Sequence, residues 1–172
     1  IGDSHILGNY LTREVRERLQ RAFGDAGRGL IFPYKLAGSN GPRDYLVETN
    51  ARWNGASCQR NLSARTPFGV SGFTLETSSP KGELTIRMRD TATSETRFFT
   101  KVTIFQHKTP LQFDVVVRDD ISNQTAQIYV QDEYSSSYYF DRPVAQVTIA
   151  AKRSNSQQKL LTLDGIALEN EL

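Results

Sequence analysis

The sequence contains little cysteine, little histidine and no long apolar run. Cys58 is the only cysteine among the 172 residues, so the chain can form no internal disulfide and offers a metal at most one thiolate. No segment reaches the ~18 consecutive apolar residues that a membrane-spanning helix needs. We therefore expect no membrane span and no disulfide framework. Export stays open, because many exported bacterial domains lack disulfides.

An excess of charge of one sign is also missing. The chain carries 21 Lys and Arg residues against 19 Asp and Glu residues, without a long block of either sign. Surfaces that bind nucleic acid or anionic membranes need clustered basic side chains. We therefore expect no nucleic-acid partner, and no pattern in the sequence requires a cofactor.

Four acidic residues could supply oxygen ligands for calcium. Asp119 and Asp120 form one pair, and Asp132 and Glu133 form another. Paired carboxylates at strand ends are more often solvated turns, and the spacing is not that of an EF-hand loop. We predict no metal site.

An amphipathic helix is predicted near the N-terminus. In "YLTREVRERLQRAFGDAGRG" the apolar residues recur every four positions, with Arg and Glu between them. The spacing predicts a helix from about Leu11 to Phe23, with Thr12 as N-cap and Gly24 just past the end. We call its apolar residues the apolar stripe: Leu11, Val15, Leu19 and Phe23.

The remainder of the chain has the pattern of a β protein. "GDAGRGLIFPYKLAGSNGPRD" is rich in glycine and proline and is predicted to be a long connecting loop. Beyond it, segments such as "ELTIRMRD" and "QFDVVVRD" alternate apolar and polar residues between turn sequences. Their spacing predicts a mostly β chain, an antiparallel jelly-roll β-sandwich of galactose-binding-like type with one N-terminal α-helix. We expect the first three stripe residues to dock on this sandwich or on a neighbouring chain.

The opening "IGDSH" allows two interpretations of Ser4. Gly-Asp-Ser is a common turn sequence, and its side chains satisfy free backbone N–H groups at a helix start. A nucleophilic serine also needs a turn between a strand end and a helix, where backbone N–H groups can stabilise an oxyanion. The tripeptide alone favours the turn, whereas its position before a helix favours the nucleophile.

"IGDSHI", the helix and "FGDAGRGLIFPYKLAGSNGP" together resemble the first block of the GDSL or SGNH serine esterases. The resemblance is to an exported bacterial branch, similar to peptidoglycan O-acetylesterases, in which a β-sandwich like a carbohydrate-binding module is inserted after the first helix. It implies an N-terminal hydrolase fragment at residues 1–42 and the sandwich at 43–172. Ser4 then matches the nucleophile and Asp3 a supporting acidic position.

The same resemblance implies an extracytoplasmic bacterial location, periplasmic or at the cell surface. The implied substrate is an acylated carbohydrate or peptidoglycan, and the implied partner is the rest of the SGNH domain if the parent is longer. The sequence departs from the family because its later glycine, asparagine and D-x-x-H blocks are missing, and only His5 and His107 could serve as a base. Since loss of the base typically costs roughly four to six orders of magnitude in turnover, we expect this fragment to be nearly inactive alone.

The competing hypothesis is a carbohydrate-binding or interaction module without chemistry of its own. Sugars bind to aromatic platforms flanked by polar side chains, and Trp53 and Tyr138 could form such a platform. Equally, Trp53 could fill the sandwich core while the tyrosines cover its rim. Arg28 and Tyr34 could border an ester pocket or lie in a buried junction.

Overall fold

The computed structural model describes residues 8–58, 68–89, 98–119, 121 and 124–170. Within them the chain forms helix α1 (Tyr10–Phe23), a 3₁₀ helix (Tyr34–Ala37) and thirteen strands. None of the helices in this part of the chain is long and apolar enough to cross a membrane. In chain order the strands are β1 (Gly29–Ile31), β2 (Tyr45–Thr49), β3 (Asn54–Ser57), β4 (Phe73–Thr77), β5 (Glu83–Met88), β6 (Phe99–Phe105), β7 (Asp114–Asp119), β8 (Gln124–Thr125), β9 (Gln127–Gln131), β10 (Ser135–Val144), β11 (Gln146–Lys152), β12 (Leu161–Leu163) and β13 (Gly165–Glu169).

The strands form three antiparallel sheets. The first has the order β1-β13-β6-β10-β9, the second β2-β5-β11-β7-β8, and the third β12-β4-β3. Every pairing between named strands in the described residues is antiparallel. These pairings confirm the predicted class, a mostly β chain built as an antiparallel β-sandwich.

One hydrophobic core joins the two five-stranded sheets. Ile104 and Ile166 from the first sheet and Ile86 and Ile149 from the second are all 0% exposed and belong to the same cluster. Alternate residues of a strand point to one face, so the alternation in the sequence places these side chains together. Burying each one contributes about 1.5–3 kcal/mol.

The glycine-rich segment after α1 is more ordered than a connecting loop. Its residues 29–31 form β1, which pairs with β13, and Phe32 is 0% exposed in the core. Gly27 has a φ of 92°, and a Cβ there would lie 2.6 Å from the Cα of Glu169. Glycine is therefore needed for the chain to approach β13 this closely. The division of domains at residue 42 stays a prediction.

Helix α1 has nearly its predicted bounds but a different N-cap. It begins at Tyr10 after Asn9, whose φ is 61°, so Thr12 lies inside the helix. The Thr12 hydroxyl donates a hydrogen bond to Asn9 Oδ1 at 2.6 Å. At the other end the Gly24 N–H donates to the Gln20 carbonyl at 2.9 Å, which confirms the predicted end.

The predicted docking of the first three stripe residues on the sandwich is wrong, and their docking on a neighbouring chain stays a prediction. Leu11, Val15 and Leu19 are 43%, 48% and 53% exposed. The helix instead buries Glu17, and its cap Asn9 and its Arg16 contact Asp44 just before β2. A buried carboxylate needs polar partners, and this requirement decides which side of the helix faces the sandwich.

Candidate ligand-binding cleft

The residues of the proposed serine nucleophile lie outside the described part of the chain. Ser4 and Asp3 both precede residue 8, where the description begins. Their catalytic role therefore stays a prediction.

Arg28 and Tyr34 lie at the junction between the N-terminal segment and the sandwich. Arg28 is 7% exposed, and its Nε donates to Asp44 Oδ2 at 2.6 Å. Tyr34 is half-buried and meets Phe73 edge-on, with ring centroids 5.1 Å apart. Partial burial raises the pKa of the Tyr34 hydroxyl. Both side chains thus have structural partners, and a role in binding substrate stays a prediction.

Trp53 and Tyr138 both belong to the hydrophobic core, but their surroundings differ. Trp53 is 8% exposed, and its indole N–H donates to the Thr49 hydroxyl at 2.8 Å. A buried indole offers no open face to a sugar. Tyr138 is also buried, but it lines a polar cleft. Of the four predicted binding residues, Tyr138 is the one at this cleft.

The cleft has a volume of about 580 Å³ and lies between β7 of one sheet and β9 and β10 of the other. The loop before β7 and the loop after β11 complete its walls. Most of its polar groups are amides, ammonium groups and hydroxyls, and its apolar walls come from aliphatic and aromatic side chains. The residues used below are Gln106, Lys108, Gln112, Phe113, Asp114, Val115, Ile128, Ser136, Tyr138 and Gln158.

Side-chain hydrogen bonds fix two of the cleft's glutamines. Gln112 donates from Nε2 to the Thr162 hydroxyl and accepts from the Thr162 N–H, both at 2.8 Å. Gln158 donates to Asp114 at 2.9 Å and accepts from the Ser154 N–H at 2.6 Å. The Ser154 hydroxyl also donates to Asp114. These bonds hold the two loops in place, so the cleft is formed without a ligand.

Gln106 differs from these two amides because one of its atoms lacks a partner. The residue is 6% exposed, and its Oε1 is buried with no hydrogen-bond donor in the part of the chain that the structure describes. A buried acceptor that has lost water and gained no donor costs about 1–3 kcal/mol. A ligand that donates a hydrogen bond in the cleft would recover this cost.

Burial shifts the pKa values of two further groups of the cleft. Burial lowers the pKa of the Lys108 ammonium, which donates to the carbonyls of Asp132 and Ser135. Burial raises the pKa of the Tyr138 hydroxyl, which keeps that hydroxyl protonated at neutral pH. These groups are suited to recognising a polar ligand by hydrogen bonding.

The acidic residues considered for calcium have other partners. Asp119 accepts from Arg142 at 3.4 Å and from the Ile121 N–H at 3.0 Å. Asp132 accepts from the N–H groups of Tyr134 and Ser135, and these bonds lower its pKa. Asp120 lies outside the described residues. In the ranges given above, no three His, Cys, Asp or Glu side chains come close enough to hold a metal ion.

Gln106 carries no strong signal in the sequence. Its segment "FQHKTPLQF" contains two glutamines around a Thr-Pro turn, and glutamines are common on the surface of strand ends. Only the fold shows that one amide is fully bonded while the other has a buried acceptor without a donor.

Among solved structures, the chain is similar to the family 32 carbohydrate-binding module from C. perfringens NanJ in complex with galactose. The two share 10% sequence identity, and the match covers 73% of this chain and 93% of that chain with a TM-score of 0.42. No family model matches the sequence, and no curated protein matches it. The strand pairings and the cleft define the chain as an antiparallel β-sandwich with a preformed polar cleft.

Proposed function

We propose that this chain is a non-catalytic carbohydrate-binding module whose ligand occupies the cleft between β7 and β10. The buried Gln106 Oε1, which has no hydrogen-bond donor among the described residues, is the observation that carries the proposal. In this proposal the Gln106 side chain turns so that its oxygen reaches the cleft, where a sugar hydroxyl donates the missing hydrogen bond.

The chemistry of the other lining residues supports the same ligand class. A sugar has a rim of hydroxyl groups and apolar C–H faces. Ser136 and Tyr138 provide hydroxyl groups, whereas Phe113, Val115 and Ile128 provide apolar walls. Because the loops are already fixed by Gln112 and Gln158, binding requires little ordering of the protein.

Calorimetric titration with glucose, galactose and N-acetylglucosamine and their short oligomers tests the proposal. We expect Gln106→Met, which keeps the volume but removes the acceptor, to weaken binding about tenfold. Gln127→Met is the control, because Gln127 is exposed on β9 and does not line the cleft. The proposal fails if the unmodified chain binds none of these sugars, or if the Gln106 variant binds as well as the control.

A second proposal is that the chain is part of an SGNH-type esterase, and the apolar stripe of α1 supports it. The stripe and Gly24–Gly29 border an open groove of about 620 Å³, as expected for a helix that another protein layer covers. In this proposal the parent protein lies outside the cytoplasm and acts on an acylated carbohydrate. Ser4 attacks the acyl carbonyl, the sugar hydroxyl leaves, and water releases the acid.

A fluorophosphonate probe separates the two proposed functions. Labelling of the unmodified chain that disappears in Ser4→Ala supports an organised nucleophile. Binding of sugar by a chain that the probe does not label supports the module and contradicts the nucleophile.

A further inference from the structure

An exposed aromatic pair lies at the rim of the cleft. The rings of His107 and Tyr134 are stacked, with centroids 5.4 Å apart and an angle of 20° between their planes. Tyr134 is 60% exposed. Because His107 covers one face of the tyrosine ring, this exposed area lies on the opposite face and the edges.

Hydrogen bonds fix the backbone from which the Tyr134 ring projects, and the ring itself stacks on His107. Asp132 accepts from the Tyr134 N–H at 2.8 Å, and the Tyr134 carbonyl accepts from the Gln106 N–H at 2.9 Å. His107 is held in turn by Glu133, with 3.5 Å between Nε2 and Oε1. A large exposed ring that is ordered without a ligand loses little conformational entropy on binding.

The aromatic pair lies next to residues that line the cleft, although neither of its rings is among the lining residues. His107 lies between Gln106 and Lys108, which both line the cleft. Tyr134, Ser136 and Tyr138 follow one another at every second position, and their exposure falls from 60% to 4% and 4%. Tyr134 lies in the bend directly before β10, and two residues span at most about 7 Å, so the platform lies within reach of the next unit of a ligand seated in the cleft.

We propose that Tyr134 and His107 form a second subsite, so that the ligand is an oligosaccharide of at least two units. One unit occupies the cleft, and the next stacks its C–H face on the exposed side of the Tyr134 ring. The inference rests on the proposed carbohydrate-binding function. It adds that affinity depends on the length of the sugar chain.

The test compares monosaccharides with trisaccharides of the same sugar, again in the glucose, galactose and N-acetylglucosamine series. The unmodified chain is expected to bind the trisaccharide of its preferred series about two- to tenfold more tightly than the monosaccharide. Tyr134→Ala abolishes this gain but preserves binding of the monosaccharide. Tyr134→Phe retains most of the gain, because the ring face remains. Tyr10→Ala is the matched control, since Tyr10 is 59% exposed on α1.

The outcomes separate this inference from the proposed function. Equal affinity for monosaccharide and trisaccharide, or an undiminished gain in Tyr134→Ala, overturns the second subsite and leaves binding in the cleft intact. Failure of all the sugars to bind the unmodified chain overturns both. Loss of the gain in Tyr10→Ala also overturns the inference, because the effect is then not specific to Tyr134.

Discussion

The sandwich and helix α1 bury opposite kinds of side chain. The sandwich places apolar residues such as Ile86 and Ile149 between its sheets. At helix α1, the cap Asn9 and the helical Arg16 contact the buried Asp44, whereas Val15 and Leu19 are 48% and 53% exposed. The sandwich is therefore stabilised mainly by apolar burial, and the helix is held mainly by polar contacts.

This difference shows that amphipathicity alone does not determine which side of a helix faces its own domain. Arg28 and Asp44 are buried charges, 7% and 5% exposed, and they need further polar partners. The partners come from Asn9, which caps the helix, and from Arg16, which lies beside the apolar stripe and lines the same groove. With these contacts formed, Val15 and Leu19 remain about half exposed.

The largest effect should come from truncating the core. Phe99 on β6 is 1% exposed, and we expect Phe99→Ala to lower the free energy of unfolding by about 3–5 kcal/mol, because it leaves a cavity. Urea titration followed by circular dichroism measures the change. Phe98→Ala is the control, since Phe98 is 52% exposed directly before β6. Equal losses in the two variants would contradict a sandwich stabilised by its core.

Removing the buried carboxylate should have an intermediate effect. We expect Asp44→Ala to lower the free energy of unfolding by about 1–3 kcal/mol, because it leaves the Arg28 guanidinium without its buried partner. Arg16 is only partly buried, so water can reach part of the site and limit the loss. Glu14→Ala, which removes an exposed ion pair with Arg18, should change stability little.

Hydrogen exchange tests whether the contacts of Asp44 hold helix α1 without affecting the sandwich. In Asp44→Ala the amides of α1 should exchange faster, while those of β5 and β11 stay protected. Uniformly faster exchange in both regions would mean that the helix and sandwich unfold together. Unchanged exchange in α1 would mean that the polar contacts do not hold it.

The sequence predicted those parts of the fold that depend on local pattern. The alternation Leu84, Ile86, Met88 predicted a strand, and the four-residue spacing of the stripe predicted a helix ending at Phe23. The orientation of α1 was not predictable in this way, because it depends on Asp44, a residue distant in sequence from most of the helix. The same limit applies to the cleft, where the contrast between Gln106 and Gln112 arises from partners that only the fold brings together.

The smallest effect on the free energy of unfolding is expected for a substitution in the apolar stripe. Leu19 is 53% exposed, so Leu19→Ser should change the free energy of unfolding by no more than about 0.5 kcal/mol. Leu84→Ser, which places a hydroxyl in the 0% exposed core, is the contrasting variant and should be strongly destabilising. Urea titration of both proteins under the same conditions gives the comparison.

A loss above about 1 kcal/mol in Leu19→Ser would mean that the chain itself covers the stripe, because an exposed leucine contributes little when its surroundings are water. A near-zero change would show that Leu19 does not contribute to the stability of this chain, which then rests on the sandwich and on the contacts of Asp44.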